Sequence, residues 1–400
     1  MMRTPSPTQL ALAAGSTVLS LALCAWVWSL RTTPSTVQLI DSSSEEQKLF
    51  EERDTQQAQG RELTEPDRLL HWPLSEQAVS KMFASMGNAK NDRFILDPHT
   101  YYWVQPSAKR LLYFAEYPGL RMHVNTNDLG FRKDVDTLDP PPDLRILVTG
   151  DSHAEGVVAN TALFTERLEL ALREQRPERT VEVLNAAKGG YCFYNYLGVL
   201  EKFEALAPDL FIVTVYGGND WVGSVRPRRF FEGLPPGPSI RQAWRKAIGP
   251  ASKGYTPLLS QYLIQVLDLQ SSTENKEVAR EAGLEVMQEI ALLCKERGIP
   301  MLLVYLPAAA DGQRPFVQPM LDEVNALVDL GQGAFEIANL LADELLQHAA
   351  TQGAKTLDLR ANFSAAEPFL YWKKDHHINI LGHQRVADAL LPVIESLFPE

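Results

Sequence analysis

From Arg145 onward, short apolar runs alternate with stretches whose apolar residues recur every three or four positions. Ile146 to Val148 is a buried-strand pattern that ends in Gly150-Asp151-Ser152. Asn160 can cap a helix carrying Phe164, Leu168, Ala171 and Leu172 on one face. Val181 to Leu184 reads as a second strand, ending at Asn185-Ala186-Ala187-Lys188-Gly189-Gly190, and a helix follows through Leu197, Leu200 and Phe203. Leu210 to Val215 is a third strand, ending at Tyr216-Gly217-Gly218-Asn219-Asp220. After an interruption the rhythm resumes: a helix over Lys276 to Arg297, a strand over Met301 to Tyr305, and a mostly helical stretch from Pro319 to Thr351 broken near Gly331 and Gly333. A short strand over Thr356 to Leu359 and a closing helix over Gly382 to Phe398 complete it. Strand and helix in alternation predict right-handed βαβ units, hence an α/β fold of three layers, α/β/α, around a parallel sheet.

The remaining patterns divide the chain. Leu10 to Leu30 is apolar and uncharged, about the length that spans a bilayer, with Arg3 before it and Trp26 and Trp28 near its far end. Residues 1–31 are therefore expected to be an N-terminal membrane anchor (a transmembrane helix), with the bulk of the chain extracytoplasmic, at the cell surface or in the periplasm. Residues 32–92 are largely polar, with an acidic, Gln-rich middle, and read as a stalk. Residues 93–143 carry short β-like runs at Tyr101 to Val104, Leu111 to Phe114 and Met122 to Val124, a small β-rich lead-in to the α/β region at 144–400. Residues 221–272 form an insertion rich in Pro and Gly, helix-like from Pro257 to Leu269. It holds Arg226, Arg228, Arg229, Arg241, Arg245, Lys246 and Lys253 against two acids, Glu232 and Asp268, so an anionic substrate or lipid headgroups are a fair expectation beside Asn219.

Composition changes the picture in two ways. A net charge of -12 over 400 residues argues against non-specific nucleic-acid binding. The three cysteines, Cys24, Cys192 and Cys294, form no C-x-x-C pair, and buried thiols are expected at Cys192 and Cys294. No P-loop, dinucleotide fingerprint, H-E-x-x-H or G-x-S-x-G string occurs, and no cofactor is expected.

In a parallel sheet the carboxyl ends of strands share one edge, where ligands bind. That edge should gather Ser152, Gly190 and Asn219. Lys374-Asp375-His376-His377-Ile378-Asn379, after the last strand, should join them. Acyl transfer by serine needs a nucleophile, a base, a group that orients the base, and oxyanion donors. Ser152 can be the nucleophile and His377 the base, a histidine's unperturbed pKa being near ~6.5. Asp375 can orient His377. The N–H groups of Ser152 and Gly190 and the amide of Asn219 can form the oxyanion hole. His153, Asp220 and Arg226 are candidate substrate-lining residues. A metal held by Asp375, His376, His377 and His383 is not expected, because no H-x-x-x-H spacing supports it.

These blocks resemble the SGNH hydrolases, the GDSL esterase/lipase family, over roughly Arg145 to Phe398. They are Gly150-Asp151-Ser152, Asn185 through Gly190, Gly217-Gly218-Asn219-Asp220, and Asp375-x-His377-x-Asn379-x-x-Gly382-His383. The lead-in also looks like that of some bacterial members. His153 departs from the pattern, since the family usually carries an apolar or aromatic residue there. The resemblance implies an SGNH/flavodoxin-like fold and a membrane-tethered serine esterase acting on an acyl ester, of a glycan or a lipid. It equally implies O-acyl transfer to a cell-surface glycan by the same residues. A non-catalytic envelope scaffold is the reading from another class.

Overall fold

The computed structural model describes residues 73–85, 93–235, 257–328, 330–331, 333–364 and 367–399. Among the described residues no helix is long and apolar enough to cross a membrane, and the Leu10 to Leu30 segment lies outside them. The first described element is a helix, α1 (Glu76–Ser85), within the stretch read as a polar stalk. Its Val79 and Met82 are buried in the common core, so this end of the stretch is packed structure rather than a spacer. Two apolar side chains one helical turn apart are enough to dock a helix that is otherwise polar.

The lead-in forms two antiparallel hairpins, β1 (Phe94–Asp97) with β2 (Tyr101–Val104), and β3 (Leu111–Tyr113) with β4 (Arg121–His123). Tyr101, Tyr102 and Trp103 of β2, and Phe131 beyond β4, belong to the same hydrophobic core as the main sheet. Trp103 and Phe131 close on Phe203 with ring centroids 5.1 and 4.6 Å away.

The main region runs β5 (Leu144–Gly150), α2 (Ser152–Glu155), α3 (Phe164–Gln175), β6 (Val181–Asn185), α4 (Phe193–Phe203), β7 (Leu210–Tyr216) and α5 (Asp220–Glu232). It continues with α6 (Ser260–Ser271), α7 (Thr273–Glu296), β8 (Met301–Leu306), α8 (Ala309–Gly312), α9 (Arg314–Val328) and α10 (Ile337–Thr351). β9 (Lys355–Asp358), α11 (Arg360–Phe363) and α12 (Ile380–Leu397) close the chain. The five strands β5 to β9 pair in parallel in the order β6-β5-β7-β8-β9, the 2-1-3-4-5 order of doubly wound sheets. Every residue of β5 and β7 is buried, as expected of strands covered on both faces. Helices α3 and α12 pair on one face, and α4, α5 and α10 pack around α7 on the other.

Two local expectations are corrected. Asn160 does not cap α3. It opens a 3-10 turn, and its side chain is held by Arg132 and Asp134 while Leu163 precedes the helix. The insertion begins as regular helix, since α5 runs on through Glu232. Its Arg228 and Arg229 are matched by Glu285 and Glu274 on α7, which the composition of the insertion alone could not show. Arg241, Arg245, Lys246 and Lys253 lie outside the described residues. Cys192 and Cys294 are buried free thiols, and burial pushes both up to about 12.

Candidate active site

β5 delivers Ser152 through a turn with no spare volume. A side-chain carbon on Gly150 would lie 2.6 Å from Ala154 Cβ, so α2 can fold back on the strand only over a glycine. Asp151 caps α2, its Oδ1 accepting from the His153 N–H at 2.8 Å. Burial drives the Asp151 carboxyl upward against that bond, the nearby His377 ring and a hydrogen bond from Asn219. Ser152 starts the helix, half-buried, with Oγ 3.5 Å from Asp151 Oδ2.

The loop after β6 folds over the serine. The Gly189 N–H donates to Glu155 Oε2 at 2.8 Å, and the Gly189 carbonyl accepts from the Tyr102 hydroxyl at 2.6 Å. A carbon on Gly189 would lie 3.5 Å from Ser152 Cβ. With Gly189 committed on both sides, the chain turns at Gly190, whose φ of +83° favours glycine, and Gly190 is exposed. Glu155 is also ion-paired with Arg93.

At the end of β7, Asn219 precedes α5. Its Oδ1 is buried without a partner, and its side chain hydrogen-bonds Asp151. Asp220 does not line the surface. It is 1% exposed, with Oδ2 accepting from the Tyr196 hydroxyl at 2.7 Å and the Tyr216 N–H at 2.8 Å. Burial and the Asp151 carboxylate push its carboxyl well upward. Arg226 is exposed on α5.

The fourth piece is the loop before α12. Asp375 Oδ1 accepts the His377 N–H at 2.9 Å and bonds His377 Nδ1. Burial would raise the Asp375 carboxyl, but its hydrogen bonds and charge interaction with His377 prevail and hold it at about 2. His377 Nε2 is buried and makes no hydrogen bond. Asn379 holds the loop. Its Oδ1 caps α12 at the Leu381 and Gly382 N–H groups, and its Nδ2 donates to the Phe369 and Tyr371 carbonyls.

His153 is the meeting point of these pieces. It is fully buried, so it does not line an open pocket. Its ring stacks on Tyr216 at 3.4 Å and lies 4.7 Å from the His377 ring. The His376 ring lies tilted against that of His377, centroids 4.1 Å apart, with Nδ1 3.5 Å from Ser260 Oγ. The metal-ligand combination weighed from the sequence is not the one the fold assembles. His383 turns away, its Nδ1 accepting from the Phe164 N–H at 3.3 Å, and burial lowers it to about 3. His153 instead joins His376 and His377, with nitrogens of all three within 4.8 Å of one another.

The supports of the site come largely from the lead-in. Arg132 is buried beneath the loop that leaves α2. Its Nη1 donates to the carbonyls of Glu155 (2.9 Å) and Gly156 (3.0 Å), its Nη2 to Val158 (2.5 Å) and its Nε to Asn160 Oδ1 (2.7 Å). Lys133, also buried, reaches Glu169 and Glu166 on α3. On the other side, Glu116 in the β3–β4 hairpin accepts from the Lys373 N–H (2.7 Å) and the Lys374 N–H (2.6 Å), and Phe114 packs on Trp372. Nothing local in sequence marks Glu116 or Tyr102. Only the Gly130-Phe131-Arg132 turn could have drawn notice to Arg132.

No protein-family model matches the chain, and no curated protein matches it in sequence. Among solved structures it is similar to the acetyl xylan esterase AlAXEase, at 16% identity and a TM-score of 0.39, over 63% of this chain and all of that one. It is also similar to LAE5, an alpha/beta hydrolase from the metagenome of Lake Arreo, Spain (15%, TM-score 0.37, 64% and 96% of the two chains). The acetylxylan esterase Axe2 of Geobacillus stearothermophilus is a third such structure (14%, TM-score 0.34, 64% and 96%). Likenesses this distant carry no argument about the activity of this chain.

Proposed function

We propose that this chain is a serine esterase of the SGNH type that acts on an acyl ester outside the cytoplasm, tethered through Leu10 to Leu30. The observation that carries the reading is the state of His377. Asp375 occupies Nδ1, which fixes the tautomer and leaves Nε2 as the acceptor, beside the element that bears Ser152.

In this reading Ser152 Oγ attacks the ester carbonyl carbon as its proton passes to His377 Nε2. The carbonyl oxygen, now an anion, accepts from the Ser152 and Gly190 N–H groups and from the Asn219 amide, which leaves Asp151 to do so. His377 returns the proton to the departing alkoxide as the carbon–oxygen bond breaks. Water, deprotonated by His377, then attacks the acyl-serine, and His377 returns that proton to Ser152 Oγ as the acyl–oxygen bond breaks and the acid leaves. A sugar hydroxyl in place of that water gives O-acyl transfer with the same residues.

Labelling by a serine-directed fluorophosphonate, together with turnover of short acyl esters, tests the reading. Both should be present in the full chain and lost in Ser152→Ala and His377→Ala. Well-folded protein that neither labels nor turns over would favour a scaffold.

A further inference from the structure

We propose that His153, His376 and His377 form a three-histidine site for a divalent transition-metal ion such as Zn2+, and that the ion occupies the nitrogen which the esterase reading assigns to proton transfer. The proposal goes beyond that reading, and only its inhibitory consequence rests on it.

The observation that points to a ligand is His153. It is 0% exposed, and neither ring nitrogen has a hydrogen-bond partner. The Gln261 side chain approaches the ring and can serve one of its nitrogens, which leaves the other for an ion. Buried polar atoms without partners are rare in folded proteins, and an ion is one of the few things that satisfies them. His377 Nε2, buried and unpartnered, is a second such atom in the same cluster.

The geometry suits a small ion. One nitrogen from each of the three rings lies within 4.8 Å of the other two. Zinc–nitrogen bonds of about 2.0–2.1 Å place tetrahedral ligands roughly 3.4 Å apart, so closure asks each ring to move by about 1 Å or less. Three imidazoles are a ligand set that zinc, copper and nickel accept, and they leave a fourth position open. The outer shell is present as well. Asp375 accepts from His377 Nδ1, which leaves Nε2 for the ion in the carboxylate–histidine–metal arrangement that raises ligand basicity. The His377 of the esterase reading and the His377 of the metal site are thus the same tautomer, and proton and ion exclude one another at Nε2.

The experiment titrates metal-free full-length protein with Zn2+ by calorimetry and with Co2+ by absorption. Wild type and Ser152→Ala should each bind one ion per chain, with the intense visible bands of four-coordinate Co2+, reversed by chelator. His376→Gln and His153→Gln should each weaken binding at least tenfold. His376 is partly exposed on a loop, so its variant reads the site even where the buried His153→Gln fails to fold. Ester turnover of the wild type should fall as the ion binds and return with chelator. Binding well below one equivalent, or unchanged affinity in folded His376→Gln, overturns the site. Turnover unaffected by saturating Zn2+ overturns the competition. A chain that binds the ion through these histidines but turns over no ester would sink the esterase reading and leave the metal site standing.

Discussion

Ser152 and His377 stand on loops that the same lead-in braces by unlike means. Beneath Ser152 the braces are buried, and two of the three are charged. Arg132 holds three backbone carbonyls and Asn160, Lys133 reaches α3, and the Tyr102 hydroxyl holds Gly189. Beside His377 the braces are one half-buried carboxylate, Glu116, on two exposed amides, and the contact of Phe114 with Trp372. Hydrogen bonds to a charged group are strong, but their removal costs most where water cannot take the vacated place. The Ser152 side is therefore built to stay still. From the lead-in the His377 side is held only by rim contacts, Asn379 anchoring its loop to α12, so loss of the lead-in's brace there is the smaller cost.

The sharpest way to break this contrast is Arg132→Met. It leaves the Glu155, Gly156 and Val158 carbonyls unpaired in the interior, and should cost about 3–5 kcal/mol in denaturant unfolding, with loss of fluorophosphonate labelling. A cost within about 1 kcal/mol would erase the difference between the two sides. His383 comes next, since it joins α12 to the start of α3. A carbon on Gly156 would lie 3.0 Å from its ring. Its folded pKa is lowered from 6.5 to about 3, with burial the first cause and Arg132 and Arg167 adding to it. The unfolded chain binds this proton first, so the His383 contribution is present above about pH 6.5 and is lost as pH falls toward 3. His383→Gln should flatten the acid limb of stability against pH by about 1.4 kcal/mol per pH unit in that window. An unchanged slope would show that His383 titrates as a free histidine.

Tyr102→Phe removes one buried bond to Gly189 and should cost about 1–2 kcal/mol, with kcat falling by about tenfold as the loop that ends in Gly190 loosens. Measuring kcat and KM separately checks that the loss lies in the chemical step. Glu116→Ala should be the mildest, under about 1 kcal/mol in unfolding and a few-fold in kcat. A larger loss than that of Tyr102→Phe would invert the comparison.

What was legible in the sequence follows the same line. The strands ending at Ser152, Gly190 and Asn219, and the loop with Asp375 and His377, are marked by local periodicity and turn chemistry, which short windows capture. The braces were not legible, because each pairs residues with no local signal between them. Arg132 meets carbonyls more than twenty positions later, and in taking Asn160 it removed the expected helix cap. Arg229 finds Glu274 45 residues on. The surroundings of His153 also come from three separate segments, so its identity was visible and its burial was not.

The aromatic contact of Trp103 and Phe131 with Phe203 reaches across the exposed Asp139 to Pro141 connection. Its consequence is for how the molecule could be divided. The sheet cannot be excised at Leu144 without uncovering those rings, yet the connection itself contributes little that is buried. A chain cut there should behave as a split protein. Its two fragments would be poorly soluble apart and would reassemble through the aromatic seam when mixed, so that any activity of Ser152 becomes conditional on their complementation.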